Sequence, residues 1–238
     1  MIRISVLDNG DAVAREAARR VAVILRRKQE TVLLLASGKT MVPVYRQLGR
    51  LHRAGRAPFG RARVFALDEI AVPAEDPRSF RAFFERHLTS RVGLRADRLE
   101  TPRGDAADAD AECRRYEQRL RRARPDLAVL GIGVNGHVAY LEPGQALPPV
   151  TSAVRLSAAT RRELAADGVR PVPAKALTVG IETILSARAI LLVASGRRKA
   201  AAVATALAGP VTPRCPASFL LLHPRLTILL DRAAAGLL

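Results

Sequence analysis

One stretch near the middle of the chain constrains its fold more than any other: Asp126-Leu-Ala-Val-Leu-Gly-Ile-Gly-Val-Asn-Gly-His-Val-Ala-Tyr-Leu-Glu-Pro-Gly144. The apolar run 127–130, held between Pro125 and Gly131, reads as a buried strand. Gly131, Gly133 and Gly136 then form a loop that side chains cannot crowd, so backbone amides can face a ligand. Out of that loop come a histidine, His137, and a carboxylate, Glu142. Open α/β sheets keep their active sites in such loops, at the carboxyl ends of strands.

The rest of the chain alternates in the same way. A strand over 2–7 turns at Asp8-Asn9-Gly10 into a helix over 11–27, whose stripe Ala14, Ala17, Ala18, Val21, Ile24 and Leu25 has helical spacing. A second strand, 31–35, ends in Ala36-Ser37-Gly38-Lys39-Thr40 ahead of a helix over 42–54. Gly38-Lys39-Thr40 is not a nucleotide P-loop, because the glycine that motif needs at position 33 is Leu33. A strand, a small-residue turn and a helix amino terminus still offer an anion free amides and a favourable dipole, making Ser37, Gly38, Lys39 and Thr40 candidate binding residues. A strand over 63–67 runs into the acidic pair Asp68-Glu69, and helices follow from 76 to 89 and over 106–121. Strands over 189–194 and 226–230 complete the set, the former leading into the strand-to-helix turn Ser195-Gly-Arg-Arg-Lys199. The pattern predicts a single α/β domain over 1–238, with a mostly parallel open sheet flanked by helices.

A chain of 238 residues with 49% hydrophobic content can bury a full core as one domain. No apolar run reaches membrane-spanning length, and the first residues enter a strand without a signal-peptide pattern. Cys113 and Cys215 lack metal-ligand or framework spacing and read as reduced thiols, which implies a cytoplasmic protein. The net charge of +17 comes almost entirely from arginine, with lysine only at 28, 39, 175 and 199. These arginines are scattered along helices, as at 15, 19, 20, 26 and 27, and the chain is 4% aromatic without tryptophan. That distribution argues against a nucleic-acid partner and for solvated helix faces, while the field still draws anions toward a site.

The Gly131–Gly144 pattern resembles G-x-G-x-[DN]-G-H-[hydrophobic]-[AG]-[aromatic]-N-E-P-G, the core of the sugar-phosphate family that contains glucosamine-6-phosphate deaminase and 6-phosphogluconolactonase. Lactonases resemble D-G-H-T-A-S-L-F-P, so Glu142 is the deaminase choice. The similarity extends along nearly the whole chain. Ser37-Gly38-Lys39-Thr40-Met41 is similar to [ST]-G-[GS]-[ST]-P, with Lys39 and Met41 departing from it. Phe65-Ala-Leu-Asp-Glu-Ile70 resembles F-x-[LM]-D-E-[YW], and Asp76-Pro-Arg-Ser-Phe80 resembles H-P-x-S-[YF]. The segment Asp110-Ala-Glu-Cys-Arg-Arg-Tyr116 matches a family helix read as scaffold. Val172-Pro-Ala-Lys-Ala-Leu-Thr-Val-Gly180 is similar to V-P-x-x-A-[LI]-T-[VM]-G, after which Glu182 replaces a family glycine near the expected sugar pocket. Lys199 matches the lysine of G-x-x-K, and Cys215-Pro-Ala-Ser-Phe-Leu-Leu-Leu-His-Pro224 resembles the closing segment P-A-S-x-L-Q-x-H-P.

The resemblance implies aldose-ketose isomerisation with loss of ammonia, glucosamine 6-phosphate and water giving fructose 6-phosphate. A reaction of this kind would be classed both as hydrolase and as isomerase. His137 would open the sugar ring, Asp68 would move the C2 proton, and Glu142 would tune the histidine. Asn135 stands where many members have aspartate; an amide can orient imidazole but cannot stabilise imidazolium by charge, so a lower histidine pKa is expected. Ser37, Gly38, Lys39, Thr40 and Lys199 would grip the phosphate, with Glu69 and Gly136 beside the substrate. The segment 145–172 would form a lid, and no metal or organic cofactor is required. Lys39, Leu141 and Glu182 leave open a lactonase or a deaminase-like enzyme with a changed sugar, and a non-catalytic sugar-phosphate-binding protein is a third reading. Homo-oligomerisation stays open.

Overall fold

The computed structural model describes residues 2–166 and 168–238. The elements run β1 (Arg3–Leu7), α1 (Gly10–Arg27), β2 (Val32–Leu35), α2 (Met41–Arg53), β3 (Arg63–Ala66) and β4 (Asp68–Ile70). Next come α3 (Phe80–Phe84), a π-helical turn Glu85–Thr89 joining it to α4 (Ser90–Val92), β5 (Leu99–Glu100), α5 (Ala109–Ala123) and β6 (Leu127–Gly131). The remainder is β7 (Ser152–Arg155), α6 (Ala158–Ala166), β8 (Lys175–Thr178), α7 (Ile181–Leu185), β9 (Ile190–Ala194), α8 (Ala200–Ala208) and β10 (Leu226–Asp231).

The main sheet has the order β1-β10-β9-β6-β2-β3-β5, and every pairing in it is parallel. Its strands read as continuous apolar runs because helices cover both faces. Leu33 and Leu35 of β2 pack with α1 and α2 on one side, while Val32 and Leu34 pack with Tyr116 and Leu120 of α5 on the other. From β2 the chain winds outward through β3 and β5, then returns to place β6 on the other side of β2 before continuing to β9 and β10. The order therefore reverses between β2 and β6, and the crevice outside their carboxyl ends is where such sheets bind ligands.

Caps set the helix limits. Asn9 accepts from the Ala12 amide at the start of α1, Ser79 from Ala82 at α3 and Asp108 from Ala111 at α5. The helix expected from residue 76 accordingly starts only after Ser79, and the one expected from 106 starts after Asp108. One layer was not visible in the sequence pattern: a three-stranded antiparallel sheet, β4-β8-β7, stands beside the parallel one. The chain leaves the parallel sheet at Leu67, whose amide still bonds the Leu35 carbonyl at 3.0 Å while its carbonyl accepts from the Val179 amide at 2.8 Å. Asp68 and Glu69 thus lie on a strand of the small sheet, opposite Thr178 and Leu177. The segment 145–172 contributes β7 and α6.

Candidate active site

Four strand ends meet at the point where the strand order reverses. From β2 come Ser37 to Thr40, with Gly38 at φ 101°, a left-handed conformation that an L side chain rarely adopts. The Met41 amide bonds the Gly38 carbonyl at 3.0 Å, and α2 starts with no acidic residue in its first turn. An anion at this turn would meet unopposed amides and the positive end of the helix dipole. The Lys39 side chain is exposed.

Asp68 is 6% exposed and lies where β3 passes into β4. The Ser37 hydroxyl donates to its Oδ1 at 3.4 Å. Burial pushes the carboxyl up to about 7, against the pull of the Ser37 hydrogen bond. Such a group can exchange a proton near neutral pH. Its neighbour Glu69 points elsewhere. Its carboxylate accepts from the amides of Phe80 at 2.7 Å, Arg81 at 2.9 Å and Ile70 at 3.0 Å, so it caps α3. Glu69, expected beside the substrate, is corrected to an anchor that fixes α3 against β4. Its alternation with Asp68 along a strand sends the two side chains to opposite faces.

The loop after β6 folds back on itself. The Gly133 amide bonds the His137 carbonyl at 2.9 Å, and the His137 imidazole lies directly over Gly133. A Cβ at Gly133 would fall 2.3 Å from His137 Cε1, so glycine is required for the ring to sit there. Gly136, at φ 88°, packs against Cys215, whose sulfur would be 2.8 Å from a Cβ at that position. Both cysteines are buried free thiols, and burial pushes them up.

The His137 imidazole is lowered from its ordinary value, chiefly by burial; Glu142 and Glu163 push it back up and Lys199 adds to the lowering. Its Nδ1 is buried with no hydrogen-bond partner among the described residues. Asn135 bonds the loop backbone and Glu142. Its Oδ1 accepts from the His137 backbone amide at 3.2 Å, and its Nδ2 donates to Glu142 Oε2 at 3.3 Å. Asn135, named with the catalytic residues from the sequence, ties the loop backbone to Glu142. Glu142, 3% exposed, also accepts from the Thr160 hydroxyl.

Lys199 ends a short 3-10 turn, Arg197–Lys199, after β9. Asp231, at the end of β10, places that turn by accepting from the Gly196 amide with both oxygens at 3.0 Å. Two departures that bore on substrate choice lie outside the site. Leu141 is fully buried in the core beneath the loop. Glu182, expected near the sugar pocket, is exposed on α7 and lines a surface cleft with Arg121, Arg124 and Arg188. Arg124 and Arg188 immediately precede the amino ends of β6 and β9, the end of the sheet opposite His137. Thr160, which bonds Glu142, and Glu163, which acts on His137, were missed by the sequence reading, because neither contact is local in the chain.

Among the described residues no group of three or more His, Cys, Asp or Glu side chains could hold a metal ion. No helix among them is long and apolar enough to cross a membrane.

Comparison with known proteins gives the same direction. Residues 8–228 match the family described as glucosamine-6-phosphate isomerases/6-phosphogluconolactonase. A glucosamine-6-phosphate deaminase of an Arthrobacter species is 38% identical over 99% of this chain and 92% of its own length. The solved structure of a monomeric glucosamine-6-phosphate deaminase superposes with a TM-score of 0.95 at 38% identity, covering 99% of this chain and all of that one. A 6-phosphogluconolactonase from Thermotoga maritima is more distant, with a TM-score of 0.76 at 25% identity over 97% of this chain and 99% of its own. The class hydrolase, expected beside isomerase, is corrected by these names: the family's description speaks of isomerases and the nearer relatives are deaminases.

Proposed function

The chain belongs to the glucosamine-6-phosphate isomerase/6-phosphogluconolactonase family, and we propose that within it this protein is an enzyme that deaminates and isomerises glucosamine 6-phosphate to fructose 6-phosphate. Two ionisable groups on the segments that flank the sheet's switch point support the reading: buried Asp68 beside the β2 turn, and His137 near Glu142 on the β6 loop.

The turn of Ser37 to Thr40 and the Lys199 ammonium bind the phosphate, which fixes the sugar's far end. His137 takes the proton of the anomeric hydroxyl and returns it to the ring oxygen, opening the ring to the aldehyde. Asp68, as carboxylate, then removes the proton from C2, and the electron pair passes to the C1 carbonyl to give an enediol-like enolamine. Return of that proton to C1 leaves an imine at C2. Water adds to C2, the C–N bond breaks, and ammonia departs with fructose 6-phosphate as product. Glu142 acts on His137 from the same loop, held in place by Asn135 and Thr160.

The segment 145–172, which carries α6 over this loop, acts as the lid on this reading. Every residue named here comes from one chain, as suits a relative described as monomeric. The free buried thiols suit a cytoplasmic setting. The test is ammonia release from purified protein offered glucosamine 6-phosphate, galactosamine 6-phosphate and 6-phosphogluconolactone in parallel. Ammonia from the first is expected; lactone turnover without ammonia would replace the reading with the lactonase one.

A further inference from the structure

The inner face of α6 docks at two points, one of them on the loop after β6. The Thr160 hydroxyl donates to Glu142, and Leu164 packs on the small apolar cluster that includes Tyr140. Glu163 lies between them, three residues from Thr160 and beside Leu164, so helical geometry turns it to the same face. Its burial agrees: Thr160 is buried and Glu163 and Leu164 are half-buried, whereas Arg161 and Arg162 on the outer face are exposed. A carboxylate is therefore delivered by α6 toward the loop after β6, which carries one acid, Glu142, and an uncharged amide, Asn135, around His137.

We propose that Glu163 is a positioning residue for His137, supplying from α6 the second negative charge that Asn135 cannot. This deepens the deaminase reading and rests on it for the histidine's role. Three charged groups act on the imidazole: Glu142 from its own loop, Glu163 from α6, and Lys199 from the turn after β9. Burial and Lys199 disfavour imidazolium, which His137 must become each time it takes the anomeric proton. Glu142 and Glu163 together offset that cost. Because Thr160 holds Glu142 and Glu163 acts on His137 from one helix face, the docking of α6 sets both interactions together.

The experiment is an NMR titration of the His137 ring in the wild type, Glu163→Gln and Glu163→Asp, with kcat and KM for glucosamine 6-phosphate measured on the same samples. The titration midpoint is expected to fall in Glu163→Gln and to recover in Glu163→Asp. With it kcat should drop on the order of tenfold, less than loss of a proton-transfer group itself, while KM stays within about twofold. A midpoint that does not move in Glu163→Gln overturns the proposal, whatever happens to kcat. The titration needs no substrate, so an inert wild type would fail the deaminase reading alone, and an unmoved midpoint would fail the Glu163 assignment alone.

Discussion

The Ser37 hydroxyl donates to Asp68 Oδ1 across 3.4 Å, joining the turn after β2 to the first residue of β4. The turn proposed to bind phosphate and the residue proposed as the C2 base are therefore in contact. Phosphate seated on the turn would fix the sugar relative to Asp68 through one short connection.

Asp68→Asn should abolish turnover, by roughly 10²- to 10⁴-fold or more, while the protein stays folded. The stability change has a definite sign. Burial raises the folded carboxyl to about 7 from 3.8, so between those values the folded state holds more protons than the unfolded chain. Stability contributed by this group falls as pH rises through that window. Thermal melts from pH 4 to 8 should show Asp68→Asn gaining on the wild type as pH increases; a constant difference would contradict the assignment.

The same group predicts the pH profile. Proton abstraction needs the carboxylate, so kcat/KM, which reports the groups of the free enzyme, should climb with pH through about 7. Initial rates of ammonia release across pH 5 to 9 check this. A rate already at its plateau at pH 5 would mean that a carboxylate with an ordinary pKa does the work.

Gly133→Ala should cost on the order of 10²-fold in kcat, because the added methyl occupies the place of the His137 ring. Gly131→Ala is the control, since a Cβ there meets nothing within 4 Å. Equal activity in the two variants would show that the ring's position over Gly133 is not needed.

Lys199→Met should raise KM for glucosamine 6-phosphate by roughly 10- to 100-fold, the worth of one charge-assisted hydrogen bond, with a smaller change in kcat. Glu182→Gly should leave kcat/KM within about twofold, as α7 presents that residue at the far end of the sheet. Its measurable effect should be about 1 kcal/mol of stability lost from helix propensity.

Much of this was legible from residue patterns. The run 32–35 is apolar on both faces because the parallel sheet is covered on both, and the glycines at 133 and 136 mark a loop that must approach a ring and a sulfur closely. The small antiparallel sheet was not legible. β4 is three residues long and two of them are acidic, which hides a strand whose carboxylates are both buried. Glu69 looked like a site residue because its partners, the amides of Phe80 and Arg81, leave no trace in side-chain identity. Thr160 was invisible because its contact with Glu142 spans 18 residues and depends on how α6 docks. Glu182 misled through its position in the motif: a short helix carries it away from the pocket.

The central claim is tested most directly by measuring ammonia and fructose 6-phosphate together from glucosamine 6-phosphate, in the wild type and in His137→Gln. Equal amounts of the two products are expected from the wild type, and a large loss of both from the variant. Fructose 6-phosphate and ammonia in unequal amounts, or an undiminished rate from His137→Gln, would contradict it.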